Sequence, residues 1–302
     1  MLLNILLLLF SVFSASTAVI MIKASTVHPV LLSSLRLFVA AIVLTPLFVR
    51  DLRHCRGTYT FDHLKASVVP GVVLAIHLMS WVVGARMTPT ANASFIVNLV
   101  PLAMPFFLLW LAHEPLRRNE IVATVIALTA VGVVTVSDLN LSSTYFAGDL
   151  IAFGSMLFYA LYMTLGRRNR HHPTVLLYLV PLYTVAAVMS MIVALFFLNP
   201  FAQVYSGREV LLILGLGIIP TVIGHSLVNY AMKHFRGQIV SIINMGQFVF
   251  AGLMAFVLWG EVPEPAFFLA AGLLAVAAWV AVGGAARLVG NPHIRGVESL
   301  ES

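Results

Sequence analysis

From Ala91 to Ala112 the chain reads ANASFIVNLVPLAMPFFLLWLA, twenty-two residues without a charge. At about 1.5 Å of rise per residue, this stretch as a helix matches the roughly 30 Å hydrocarbon core of a bilayer. Nine further apolar stretches flank it. The expected spans are 3–22, 30–49, 66–86, 91–112, 119–137, 147–166, 174–198, 209–232, 238–260 and 265–287. Inside lipid, backbone polar groups have to be satisfied within helices or a closed barrel. These runs are long and continuous, not short and alternating, so the fold is read as all-α and integral to the membrane. A chain of 302 residues, 61% hydrophobic and 9% charged, fits that class.

Lys and Arg set the orientation, because short cytoplasmic loops carry their excess. With the N-terminus inside, the inner loops and tail hold thirteen: Arg50, Arg53, Arg56, Lys65, Arg117, Arg118, Arg167, Arg168, Arg170, Lys233, Arg236, Arg287 and Arg295. The outer loops hold Lys23, Arg86 and Arg208, and Arg36 falls within span 2. Both termini are therefore placed in the cytoplasm. Leu2 to Thr17 has the look of a signal-peptide core, but no Lys or Arg precedes Lys23, so it is read as an uncleaved first helix. The net charge of +6 is spread over loops and forms no stripe for nucleic acid. A single cysteine, Cys55, excludes an internal disulfide and a cysteine-based zinc cluster.

The two halves echo each other. Ala93-Ser94 through Trp110 to Glu114 parallels Val240-Ser241 through Trp259 to Glu261, and both Ser94/Ser241 and Glu114/Glu261 are 147 residues apart. The expected organisation is a first repeat over 1–138, a linker over 139–146, a second repeat over 147–289 and a cytoplasmic tail over 290–302. Five spans per repeat is odd, so the second repeat enters the bilayer inverted. Inverted repeats mark secondary transporters, with the substrate site at mid-membrane between them.

With this 5+5 plan, a small-residue-rich first span ending in Lys23, Arg36 early in span 2, and a repeated Ala-x(8–9)-Ser…Glu pattern, the chain resembles the EamA family of the drug/metabolite transporter superfamily. The likeness runs over about residues 3–287. The chain departs from the family pattern at His113-Glu114-Pro115, where a Gly-Glu pair is usual, and in span 9, which lacks a proline matching Pro101. The resemblance implies a central cavity lined mainly by spans 1, 3, 4, 6, 8 and 9. Spans 5 and 10 would be scaffold. Small-residue faces at Ala123, Ala127 and Ala130, and at Ala270, Ala271, Ala275, Ala278 and Ala281, suit that close packing.

Polar side chains inside a span are costly unless they face a cavity or a partner. His77, Ser80, Trp81 and Gly84 share one helical face; so do Ser94 and Asn98, Thr221, His225 and Asn229, Ser241, Asn244 and Gln247, and Ser155, Tyr159 and Tyr162. The candidate substrate-binding set is His77, Trp81, Ser94, Asn98, Tyr159, Tyr162, His225, Asn229, Asn244 and Gln247. The alternative for each is helix-to-helix glue. Pro101, Pro105, Pro220, Gly224 and Gly246 weaken helical backbone and are candidate hinges for gating. Arg36, about 10 Å into span 2, is read as a structural charge paired with an outer acid or helix-end carbonyls, ahead of an anionic substrate group. Glu114 and Glu261, at helix ends, are read as latches between spans.

All eleven acids fall in loops, tails or helix ends. No buried carboxylate is available for proton coupling, so facilitated or weakly coupled transport is expected, with His77 or His225 as the titrating groups at depth. The expected protein is a bacterial inner-membrane exporter of small amphipathic metabolites such as amino acids, working by alternating access. It is not an enzyme and uses no cofactor or metal. Its partners are a small-molecule substrate and the lipid bilayer, not nucleic acid, and the oligomeric state is open, a monomer being sufficient. A nucleotide-sugar or organic-phosphate carrier ranks lower, because it needs several cations at depth and Arg36 is alone. An intramembrane enzyme ranks lower still, for want of a nucleophile–base pair or a third metal ligand beside the histidines.

Overall fold

The computed structural model describes residues 2–138, 143–202, 204–260 and 262–289. The apolar runs are helices: Leu2–Ala24 (α1), Pro29–His54 (α2), Phe61–Met87 (α3), Phe146–Arg168 (α6), Val175–Leu195 (α7), Gly207–His234 (α8) and Pro265–Val289 (α10). Two more are interrupted: Thr90–Val97 with Val100–Ala112 (α4), and Gly237–Asn244 with Gln247–Trp259 (α9). Among the described residues, these nine are long and apolar enough to cross a membrane. Arg118–Asp138 (α5) is a further helix of 21 residues packed along α10. α2 runs past its expected end to His54 although Pro46 lies inside it.

The packing repeats when the halves are exchanged. α2 packs along α7 and α5 along α10. The pair α3–α6 has its counterpart in α8–α1, α4–α6 in α9–α1, α2–α8 in α7–α3, and α4–α5 in α9–α10. Large apolar side chains such as Phe106, Trp110 and Trp279 point outward, more than 70% exposed, as lipid permits and water does not. Between α5 and α10 the faces are small: Ala123, Ala127 and Ala130 against Ala270, Ala277 and Ala281, all fully buried. Ala275, expected on that face, is turned outward, and Ala277 takes its place.

The two interruptions are also repeats of each other. α4 breaks between Val97 and Val100, and α9 between Asn244 and Gln247, the same 147-residue offset seen in the sequence. Pro101 has no N–H, and Asn98 and Leu99 close tight turns onto Phe95 and Ile96. α9 makes the same break without a proline, through Met245 and Gly246 bonded to Ile242 and Ile243.

Linkers gather at two ends. At one end, Asn169 reaches the Ala66 carbonyl (3.2 Å), His172 the His63 carbonyl (3.0 Å) and Lys233 the His172 carbonyl (2.8 Å). At the other, Arg86 donates to the carbonyls of Ile22, Ser25 and Val27. There the Glu209 carboxylate accepts from Ser25 Oγ (2.6 Å) and Thr26 N (3.0 Å). Thr88 donates to Asp149 at that same end.

Candidate functional site

A cavity of about 60 Å³, room for a few waters, lies inside the bundle. Its walls come from α1, α2, α3, α4, α6, α8 and α9, hence from both halves. Of the expected substrate-binding residues, His77, Trp81, Asn98, Tyr159, His225 and Gln247 line it. Tyr162, Asn229 and Asn244 are buried just outside its wall. The Ser94 side chain and Glu261 lie outside the described residues.

The periodicity of α3, α6 and α8 brings four rings together. His77 stacks on Tyr159 at 4.7 Å between centroids, and Tyr159 on Tyr162 at 6.2 Å. His225 meets His77, Tyr159 and Tyr162 edge-on at 6.4, 5.9 and 5.9 Å. Ser155 Oγ donates to the His77 carbonyl (3.0 Å), and His77 Nδ1 lies 3.0 Å from the Ser155 carbonyl. That carbonyl can only accept, so the partners assign the ring proton to Nδ1 and leave Nε2 as an acceptor. Below the rings, Asn229 Nδ2 donates to Tyr162 Oη (2.5 Å) and to the His225 carbonyl (2.8 Å). Asn229 thereby ties α8 to α6.

Arg36 is 1% exposed and lines the cavity. It bonds no acid among the described residues. Its Nε donates to Thr221 Oγ1 (2.9 Å), and the same hydroxyl donates to the Leu216 carbonyl (2.7 Å). Thr221 is available because α8 widens into π-helical turns over Gly217–His225, around Pro220. Pro220 also lines the cavity. Gly224 serves close packing: a Cβ there would sit 3.2 Å from Ala15 N, and its carbonyl accepts from Ser11 Oγ (2.9 Å). Gly246 sits in the α9 break, the Pro101 carbonyl beside the α4 break accepts from Gln238 Nε2 (2.9 Å), and Pro105 lies within the second part of α4.

Toward the basic end the halves are pinned by ion pairs. Arg167 Nε meets Glu114 Oε2 at 2.7 Å, with Arg170 at 3.9 Å, and the Gly237 N–H donates to Glu114 Oε1 (2.9 Å). Arg236 donates to Glu120 through Nε (2.5 Å) and Nη2 (3.1 Å). Burial pulls the Arg236 guanidinium down, but the hydrogen bond and charge of Glu120 overcome this and raise its pKa. Sequence reasoning missed the roles of Glu120, Gln238 and Thr221. Their partners are 116, 137 and 185 residues away, and no local spacing announces them.

The sequence model of the EamA-like transporter family matches residues 2–136 and 146–283. A search of the curated proteins gives no match. Among solved structures, a chain described only as "Crystal structure of protein" superposes with a TM-score of 0.76 at 20% identity. That superposition covers 94% of this chain and 98% of the other, and it speaks to the fold alone.

Proposed function

The chain belongs to the EamA-like transporter family, and from that premise we propose a carrier that exports small amphipathic metabolites, amino acids foremost, by alternating access. Its setting is the bacterial inner membrane, with α5 as the tenth span, the two five-helix repeats inverted, and both termini in the cytoplasm. The observation carrying this reading is the cavity whose wall is shared between the repeats and whose polar groups sit among apolar ones. Such a site changes side when one repeat rocks against the other.

The matched breaks in α4 and α9 border this site, and Gln247 at the α9 break is part of its wall. Unwound backbone of this kind is tolerated at depth where it lines a cavity. Glu114–Arg167 and Glu120–Arg236 close the basic end, which the charge bias makes cytoplasmic. Entry of substrate from the cytoplasm then requires those pairs to part, and a substrate needs the walls to separate beyond the present volume. Hydroxyls, amides and aromatic faces suit a zwitterion with an apolar side chain.

The test is counterflow of a labelled amino-acid panel in vesicles containing the purified protein. Flux of at least one compound, lost in Trp81→Ala and His225→Leu at unchanged membrane expression, supports the reading. Flux of none, or full flux in both variants, removes it.

A further inference from the structure

We propose that Arg36 is the anchor for a carboxylate of the transported molecule, so that the cavity selects metabolites joining one carboxylate to an apolar body. This rests on the carrier reading and narrows its substrate class. The guanidinium is held by one nitrogen only. Nε is fixed to Thr221 on α8, while Nη1 and Nη2 are buried and have no hydrogen-bond partner among the described residues. Thr221 cannot neutralise the charge, since its hydroxyl is neutral and its proton is committed to the Leu216 carbonyl. The nearby Tyr183 hydroxyl is engaged with Ser226 (3.2 Å) and the Thr221 carbonyl (3.4 Å).

A permanently charged side chain at this depth calls for an anion, because burial of an unpaired guanidinium in a low-dielectric region is strongly unfavourable. Among the described residues no acid pairs with Arg36, and by sequence every acid lies in a loop, tail or helix end. The cavity that Arg36 lines is therefore where the missing charge has to come from. A planar guanidinium with two free nitrogens matches a carboxylate in a bidentate pair. Around it, Ala15, Val19, Leu78, Trp81, Val97 and Phe248 give an apolar wall for the remainder of the molecule. His225 Nδ1, also buried and without a partner among the described residues, stands in the same wall as a second polar contact. One lone cation fits a monocarboxylate and not a polyphosphate.

The experiment is thermal stability of the purified full-length protein in detergent, titrated with L-leucine, 4-methylpentanoate (the acid without the amine) and 3-methylbutylamine (the amine without the acid). Both acids are expected to raise the melting temperature and the amine to leave it unchanged. Arg36→Gln is expected to weaken the acids at least tenfold, and Arg36→Lys, which keeps the charge but loses the fork, by less. The comparison of acid with amine in the unsubstituted protein decides the matter even if Arg36→Gln fails to fold. The proposal is overturned if the amine stabilises as well as the acids, if chloride alone reproduces their effect, or if neither L-leucine nor 4-methylpentanoate stabilises. Vesicle flux separates the two ideas. Arg36-dependent binding without flux leaves the anchor and removes the carrier, whereas flux of an uncharged compound indifferent to Arg36 does the reverse.

Discussion

His113 and Gly260 occupy the same left-handed backbone position at the ends of α4 and α9, 147 residues apart, with φ of 50° and 69°. At the second the Gly260 N–H donates to the Phe256 carbonyl (2.9 Å), and at the first the N–H of Glu114, one residue past His113, donates to the Leu108 carbonyl (3.0 Å). The second half uses the residue that has no Cβ to clash there, and the first uses a histidine, for which this conformation is strained. Because the His113 side chain is exposed, nothing is lost by removing it. The left-handed strain of about 1–2 kcal/mol is offset in part by the roughly 0.5–1 kcal/mol of backbone freedom glycine loses. His113→Gly is therefore expected to stabilise the protein by about 0.5–1 kcal/mol, read as a higher melting temperature in detergent. A lower one would show that the imidazole makes a contact worth more than the strain.

The Glu120–Arg236 pair gives a second prediction. Glu120 is fully buried, and its carboxylate caps the first turn of α5 through the Arg117 N–H (2.8 Å) while receiving the Arg236 fork. Removing one partner of a buried pair leaves the other charge uncompensated. Since the Arg236 side chain keeps 18% exposure, Glu120→Gln is expected to cost about 2 kcal/mol, less than the roughly 3–5 kcal/mol of breaking a fully buried pair. A double-mutant cycle with Arg236→Gln is expected to show coupling above about 1 kcal/mol. Additive effects would mean that the fork contributes nothing beyond its separate parts.

Much of this architecture is legible in the sequence, because hydrocarbon thickness fixes helix length and the bilayer sorts charges to the ends. Helical periodicity likewise put His77, Trp81, Tyr159 and His225 on faces that converge on one cavity. Periodicity does not reveal which polar residue on such a face is already satisfied. On the donor side Asn229, which shares its face with His225, has both amide protons engaged, with Tyr162 and the His225 carbonyl, while its buried Oδ1 has no partner among the described residues. Nor does the sequence announce the α9 break, which has no proline and follows from the symmetry of packing. Depth in span 2 points Arg36 to an outer acid or helix-end carbonyls, whereas the widened turns of α8 bring the Thr221 hydroxyl to its Nε.

Gly84, on the α3–α6 seam, and Gly154, on an open face of α6, separate packing from helix propensity. A Cβ at Gly84 would come within 2.9 Å of the Ala152 backbone nitrogen, so Gly84→Ala forces two main chains apart. That overpacking is expected to cost roughly 1–3 kcal/mol. At Gly154, inside α6, a Cβ would meet nothing within 4 Å, and alanine should add about 0.5–1 kcal/mol through its better helix propensity. Melting temperatures of the two variants should move in opposite directions. Equal shifts would argue that the close approach of α3 and α6 at Gly84 relaxes without penalty.

His172, in the linker between α6 and α7, carries the pH prediction. It is 6% exposed, with Nδ1 3.0 Å from the Asn169 carbonyl and Nε2 3.0 Å from the His63 carbonyl. Burial lowers its pKa below the ordinary value near 6.5; the two carbonyls oppose this, and the neighbouring His63 and Lys233 reinforce it. Between the lowered value and the ordinary one, the unfolded chain binds a proton that the folded chain refuses. Stability therefore rises with pH in that window and falls as the solution is acidified below about 6.5. His172→Asn is expected to lower the melting temperature at pH 7.5, where the buried ring is neutral and well packed. It is also expected to shrink the further loss between pH 7.5 and 5.5. An undiminished acid sensitivity in the variant would place the titrating group elsewhere.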